Sequence, residues 1–253
     1  MSWLYAGAAA VGTSHALQQS PCQDAFHVEA FALEKGEQLL MGFVADGAGT
    51  ASCSDQASQR VVEAAAQFTL EEGLLDDALF DAEFARALIS HLRSELQLLA
   101  AERDLPLREF ACTFLGVIAK ADQTLVFQIG DGAVVLGDEH TMSLAVQPMS
   151  GEYANTTYFL VDEDALARVE VAELGPVSHI ALFSDGLQRL ALNAGDQSPH
   201  LPFFAPFFRT LAAATSAQQA QIDEALQRFL ASPSVNERTD DDKTLVLALR
   251  SDA

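Results

Sequence analysis

Five aspartates stand where apolar runs begin or end. Asp24 opens AFHVEAFAL, Asp46 closes QLLMGFVA and precedes Gly47, and Asp131 lies in Ile129-Gly130-Asp131-Gly132. Asp185 follows HIALF after Ser184 and precedes Gly186, while one of the triplet Asp240-Asp241-Asp242 stands, with Lys243-Thr244, ahead of the last run, TLVLAL. Singly, each is accounted for by a turn, because Asp bonds its own backbone and Gly accepts positive φ. Five on the strand ends of one sheet system are less easily accounted for as turns. Strand termini can converge at one edge, and convergent carboxylates repel, so that they protonate or destabilise the fold. A pair of hard divalent cations removes the conflict, and Mg²⁺ or Mn²⁺ suits an all-oxygen environment. The glycine after Asp46 lets a backbone carbonyl come close to a metal. Two such ions about 3.5–4 Å apart can share a water, lower its pKa and aim it at phosphorus. The chemistry to which this pattern points is hydrolysis without a protein nucleophile.

Other phosphate chemistries lack their residues. None of Cys22, Cys53 and Cys112 has an arginine six positions later; those positions hold Val28, Gln59 and Ile118. The sequence contains neither a GxSxG elbow nor a GxxxxGK[ST] loop.

The elements that must carry the aspartates are legible from periodicity. Ala25–Leu33 and Gln38–Ala45 are β-rich runs separated by Glu34-Lys35-Gly36-Glu37, which predicts a hairpin. Ala57, Val61, Ala65 and Phe68 form one helical stripe, and Phe84, Leu88, Leu92, Leu96 and Leu99 another. Strand character returns at Cys112–Ala119, Thr124–Ile129, Gly132–Leu136, His179–Phe183 and Thr244–Leu249. The stretch 137–174 is mixed and reads as a flap or short strands, 199–208 as a loop or short helix, and Ile222 to Leu230 as a last amphipathic helix. Two consecutive long helices between groups of strands predict α+β with antiparallel sheet, not a doubly wound parallel sheet. With 253 residues and no obvious linker, one domain over 1–253 is the expectation.

The charge narrows the partners. Fourteen Lys+Arg against 36 Asp+Glu give a formal net charge of −22, which opposes nucleic acid and anionic membranes. No run of about 18 apolar residues is present, no CxxC or Cys/His zinc spacing occurs, and MSWLYAGAAAVGTSH lacks a basic n-region. The expectation is a cytoplasmic monomer.

At these residues the chain resembles the metal-dependent serine/threonine phosphatases, the protein phosphatase 2C family, and more narrowly a divergent bacterial branch. Gly12-Thr13-Ser14-His15 through Pro21-Cys22-Gln23-Asp24, Val44-Ala45-Asp46-Gly47-Ala48-Gly49, Cys112-Thr113-Phe114, Ile129-Gly130-Asp131-Gly132, Ser184-Asp185-Gly186-Leu187 and Asp241-Asp242-Lys243-Thr244 follow the family's motifs in order. The resemblance implies a four-layer αββα sandwich, two antiparallel sheets flanked by helices, that dephosphorylates phosphoserine or phosphothreonine in proteins. It implies two Mn²⁺ or Mg²⁺ ions, with Asp46 bridging both and the Gly47 carbonyl on one of them. Asp185 and Asp241 would bind the other, Asp24 would act through water, and Asp131 would help to hold a third, weaker ion.

The chain departs from the family where phosphate is gripped. The arginine five positions before the first aspartate is Gln19, the histidine after DG is Ala48, and the GDSR arginine is Ala133. His15 is the nearby candidate for phosphate contact, and Asn155-Thr156-Thr157 could face substrate. Two alternatives therefore stand beside the protein phosphatase: a regulatory or binding module on the same fold that hardly turns over, and a phosphatase for a small phosphorylated molecule.

Overall fold

The strand sequences are apolar at nearly every position because both faces of most strands are covered. A computed structural model describes residues 2–33, 37–73, 80–149, 157–215 and 218–251. In chain order its elements are β1 (Ser2–Ala10), α1 (Thr13–Gln18), β2 (Asp24–Ala32), β3 (Gln38–Asp46), α2 (Ser54–Gly73), α3 (Ala82–Arg103), β4 (Phe114–Ala119), β5 (Thr124–Ile129) and β6 (Ala133–Gly137). They continue with β7 (Met142–Leu144), α4 (Ala165–Arg168), β8 (Glu170–Leu174), β9 (His179–Phe183), α5 (Gln188–Ala191), α6 (Leu201–Ala212), α7 (Gln219–Leu230), α8 (Pro233–Asn236) and β10 (Lys243–Ser251).

The strands form two five-stranded sheets, ordered β1-β10-β9-β6-β7 and β2-β3-β4-β5-β8, with every pairing antiparallel. Because side chains alternate along a strand, each run feeds two cores. On β10, Val246 and Ala248 enter the layer between the sheets with Leu40, Val44, Leu115 and Leu182. Its alternate residues Leu245, Leu247 and Leu249 pack outward with Phe204, Phe208, Leu226 and Leu230 of α6 and α7. The other sheet turns Met41, Phe43, Phe114 and Phe127 onto Val61, Ala65, Leu88, Leu92 and Leu96 of α2 and α3. The architecture is the αββα sandwich that the resemblance implied.

Three details differ from the sequence reading, and one of its alternatives, short strands within 137–174, is borne out. β1 is absent from the predicted strands, although it pairs with β10 from Ser2↔Ser251 to Ala10↔Lys243. Its segment SWLYAGAAA is mostly Ala and Gly, which have low strand propensity and hide the alternation. The strand expected from Cys112 begins at Phe114; Cys112 makes only an isolated bridge to Gly47. The stretch 137–174 supplies β7 and β8 to the two sheets, with 150–156 outside the described residues. Finally, 201–212 is a 12-residue helix despite Pro206, with Phe204, Phe208 and Leu211 on its buried side. The β2–β3 pairing is a hairpin whose turn residues 34–36 also lie outside the described set.

A candidate metal centre at the strand ends

The topology brings the candidate aspartates to one rim. In the β2–β3 register Asp24 lies opposite Asp46. In the other sheet Phe183 of β9 lies opposite Leu245 of β10, so the segments bearing Asp185 and Asp241 leave side by side. Asp131 occupies the link between β5 and β6, where the chain passes from one sheet to the other.

Asp24 is buried, and its Oδ2 accepts hydrogen bonds from Ser184 Oγ at 2.7 Å and Thr244 Oγ1 at 2.8 Å. Ser184 Oγ in turn accepts from Thr244 N at 3.0 Å. Asp24 Oδ1 is buried without a partner. Burial outweighs the hydroxyl contacts and pushes the Asp24 carboxyl up to about 7.

Asp46 is fixed through its backbone. Its N–H donates to Thr113 Oγ1 at 3.0 Å, and Thr113 N donates to the Asp46 carbonyl at 2.8 Å. Burial, then the charges of Asp24 and Asp185 and a hydrogen bond shared with Asp185, hold the Asp46 carboxyl well above the usual range. Burial first, then Asp131 and Asp241, push Asp185 up to about 6, and its Oδ1 is also buried and unpartnered. Burial raises Asp131 as well. Asp241 is exposed, and its carboxylate accepts from Asp242 N at 2.9 Å. Gly47 N donates to the Gln23 carbonyl at 3.1 Å; a Cβ at that position would come within 2.8 Å of the same oxygen, so only glycine fits the strand crossing.

Asp242 does different work. Its Oδ1 accepts from Gly12 N and its Oδ2 from Gln23 N, both at 2.6 Å, and His15 Nδ1 lies 3.0 Å from Oδ2. It thereby ties the N-terminal loops to the start of β10. Gln19 is exposed and ends α1 at φ 58°, and Ala48 and Ala133 are buried. Asn155 and Thr156 lie outside the described residues, and Thr157 is half-buried.

Whether these residues suit divalent cations can be judged from their own chemistry. Among the described residues no three acidic, histidine or cysteine side chains already stand at ligand spacing. The carboxylates instead converge, Asp24 opposite Asp46 and Asp46 within hydrogen-bonding reach of Asp185, with two buried oxygens left unsatisfied. Buried acceptors without partners are costly. Lys243, the buried cation of the same segment, gives its ammonium to Asn236 Oδ1 at 2.8 Å and the Val11 carbonyl. The donor set is all-oxygen and short of positive charge, and hard divalent cations fit it. Cysteine chemistry does not fit: burial, then Asp24 and Asp242, push the Cys22 thiol up, and it stays protonated.

A protein phosphatase 2C profile matches residues 11–231. The chain is 46% identical over 250 residues to serine/threonine-protein phosphatase 3 of Escherichia coli (strain K12), covering 98% of this chain and 99% of that one. The chain belongs to the protein phosphatase 2C family. With membership comes the enzyme class, serine/threonine phosphatase. Among solved structures, this phosphatase superposes on Stp1 of Staphylococcus aureus with a TM-score of 0.65 at 15% identity, covering 99% and 96% of the two chains. The catalytic domain of PstP in complex with two manganese ions gives 0.63 at 18% identity, covering 98% and 97%. At such identities the likeness concerns the fold.

The residues that hold the phosphatase's aspartates were not assigned from sequence. Thr113, Ser184 and Thr244 lie inside the quoted motifs, but only Ser184 adjoins a candidate aspartate in sequence, so local spacing could have marked that one alone.

Proposed function

We propose that the chain is a metal-dependent phosphomonoester hydrolase acting on phosphoserine and phosphothreonine in proteins, with Mn²⁺ or Mg²⁺ held by the strand-end aspartates. The observation that carries this is the convergence of Asp24, Asp46 and Asp185 with two buried carboxylate oxygens unsatisfied. In this reading Asp46, the Gly47 carbonyl, Asp185 and Asp241 would hold the two ions, Asp24 would contribute through water, and Asp131 would help to hold a third, weaker one. Ions bound there would lower the pKa of a water between them and draw charge from the phosphoryl oxygens.

The chain's own part is positioning. Thr113 fixes the Asp46 backbone, and Ser184 and Thr244 orient Asp24 toward the two segments that carry Asp185 and Asp241. His15 acts as a strut on Asp242 in this reading, given the 3.0 Å separation, and not as a phosphate contact. Residues 1–253 work as a single domain, a cytoplasmic monomer, with the flap expected at 137–174 reduced to what lies between β7 and β8. The E. coli relative's name and the manganese bound to PstP support substrate and metal. Among the described residues no helix is long and apolar enough to cross a membrane.

A second reading, a module with little turnover, is favoured by Gln19 and the buried Ala133 at the arginine positions. The two separate on hydrolysis of p-nitrophenyl phosphate and phosphopeptides with Mn²⁺ or EDTA. We expect metal-dependent turnover that falls about 10²–10³-fold in Asp46→Asn and Asp185→Asn. Wild-type protein inert with Mn²⁺ would establish the module instead.

A further inference from the structure

Of the eleven arginines, Arg93 and Arg250 donate to backbone carbonyls, and Arg86, Arg103 and Arg209 are exposed with no partner among the described residues. Arg60, Arg108, Arg168 and Arg228 pair with neighbouring glutamates or aspartates. Arg189 and Arg238 are exposed, and among the described residues neither guanidinium has a hydrogen-bond or ion-pair partner. Both line one pocket of about 570 Å³, with Gln188, Asn193 and His200 in its walls. Two unpaired guanidiniums lining one cavity leave planar donors free for an anion, in a molecule whose net charge is −22.

The place of the pocket is as informative as its charge. Arg189 follows Asp185 by four residues and Arg238 precedes Asp241 by three, so the cations arrive on the two segments that carry candidate metal ligands. The Gln188 amide donates to the Asp131 carbonyl, which pins this wall to a third acidic segment. His200 Nδ1 lies 3.1 Å from Asn193 Oδ1, which sets the ring. Yet none of Asp24, Asp46, Asp131, Asp185 and Asp241 lines the pocket. The pocket is thus separate from the carboxylate cluster and linked to it through the segments that Arg189, Arg238 and Gln188 share with or fasten to Asp185, Asp241 and Asp131.

We propose that this pocket is an anion subsite that receives an acidic side chain flanking the phosphorylated serine or threonine of a substrate peptide. The proposal rests on the reading of the neighbouring carboxylates as the phosphatase centre. Arg189 and Arg238 are its specificity residues: they offer planar donors to a carboxylate and counter the repulsion that this surface imposes on any acidic substrate.

The test uses two fluorescein-labelled peptides bearing a non-hydrolysable phosphonate in place of phosphoserine, one flanked by glutamates and one by alanines. Anisotropy titrations are run with Mn²⁺-loaded wild type and with the Arg189→Ala/Arg238→Ala variant, whose folding is checked by its melting curve. Wild type should bind the glutamate peptide about tenfold more tightly, the worth of two exposed charge pairs. That preference should disappear in the variant and shrink at high salt. Equal binding of both peptides by wild type, or a preference that survives in the variant, would overturn the subsite. Turnover of p-nitrophenyl phosphate, which has no flanking residue, should be unchanged in the variant; if it falls with peptide binding, the arginines grip the reacting phosphate and the proposal fails. Wild type that binds with this preference but hydrolyses nothing would sink the phosphatase reading and leave the subsite standing.

Discussion

At the scale of the residue, the cost of the site is set by what Asp24 and Asp185 lack. Each has one buried carboxyl oxygen without a partner, and their carboxyls are pushed up to about 7 and about 6, whereas an unfolded aspartate titrates near about 3.9. Between about pH 4 and pH 7 the metal-free native state thus holds more protons than the unfolded chain, and its stability falls as pH rises through that window. In EDTA the melting temperature should be higher at pH 5 than at pH 7.5, by several degrees. The overall negative charge acts in the same direction, so the site's share is read from Asp24→Asn, which should show the shallower slope. A melting temperature that climbs from pH 5 to pH 7.5 in wild type would contradict the raised carboxyls. The aspartates themselves were legible because Asp beside a strand end is a local pattern. Their partners were not: Ser184 and Thr244 reach Asp24 across 160 and 220 residues, a separation that no local spacing encodes.

At the scale of the element, the site depends on how closely the segment after β9 crosses the segment before β10. Gly186 sits at the crossing, and a Cβ there would stand 2.0 Å from the Asp242 carbonyl oxygen. Neither partner is a side chain that can swing away, so Gly186→Ala must part the two backbones and, with them, Asp185 and Asp241. Overpacking of this kind costs about 1–3 kcal/mol, and Mn²⁺ titration by calorimetry should show affinity reduced about tenfold or more. Gly195→Ala is the matched control, because a Cβ there meets nothing within 4 Å; it should leave both quantities alone. Runs with a clean apolar pattern, such as His179–Phe183 and Thr124–Ile129, were found from sequence to the residue. β1 was not, since its place beside β10 is set by small side chains: Gly7 leaves room for the Phe26 ring, which a Cβ would meet at 2.3 Å. That is a packing reason, invisible without the other sheet.

At the scale of the whole molecule, two sources of electrostatic stress coincide, the diffuse charge of −22 and the cluster at the rim. They respond to different ions. Monovalent salt screens the diffuse part over a Debye length of about 8–10 Å at 0.1–0.15 M and reaches buried carboxylates poorly. A divalent cation that binds the native rim stabilises by mass action, about 2.7 kcal/mol at a hundred times its dissociation constant. For a chain of this length that is a rise in melting temperature of about 5–10 °C. Millimolar Mn²⁺ should therefore raise the melting temperature at pH 7.5 along a saturating curve, while the same ionic strength of NaCl leaves it nearly unmoved. EDTA should reverse the shift. Asp46→Asn should begin from a higher metal-free melting temperature, having lost a carboxyl that burial and its acidic neighbours hold well above the usual range, and gain less from Mn²⁺. Equal responses of wild type and Asp46→Asn would mean that the metal acts on the surface at large, and the strand-end aspartates would lose their claim to it.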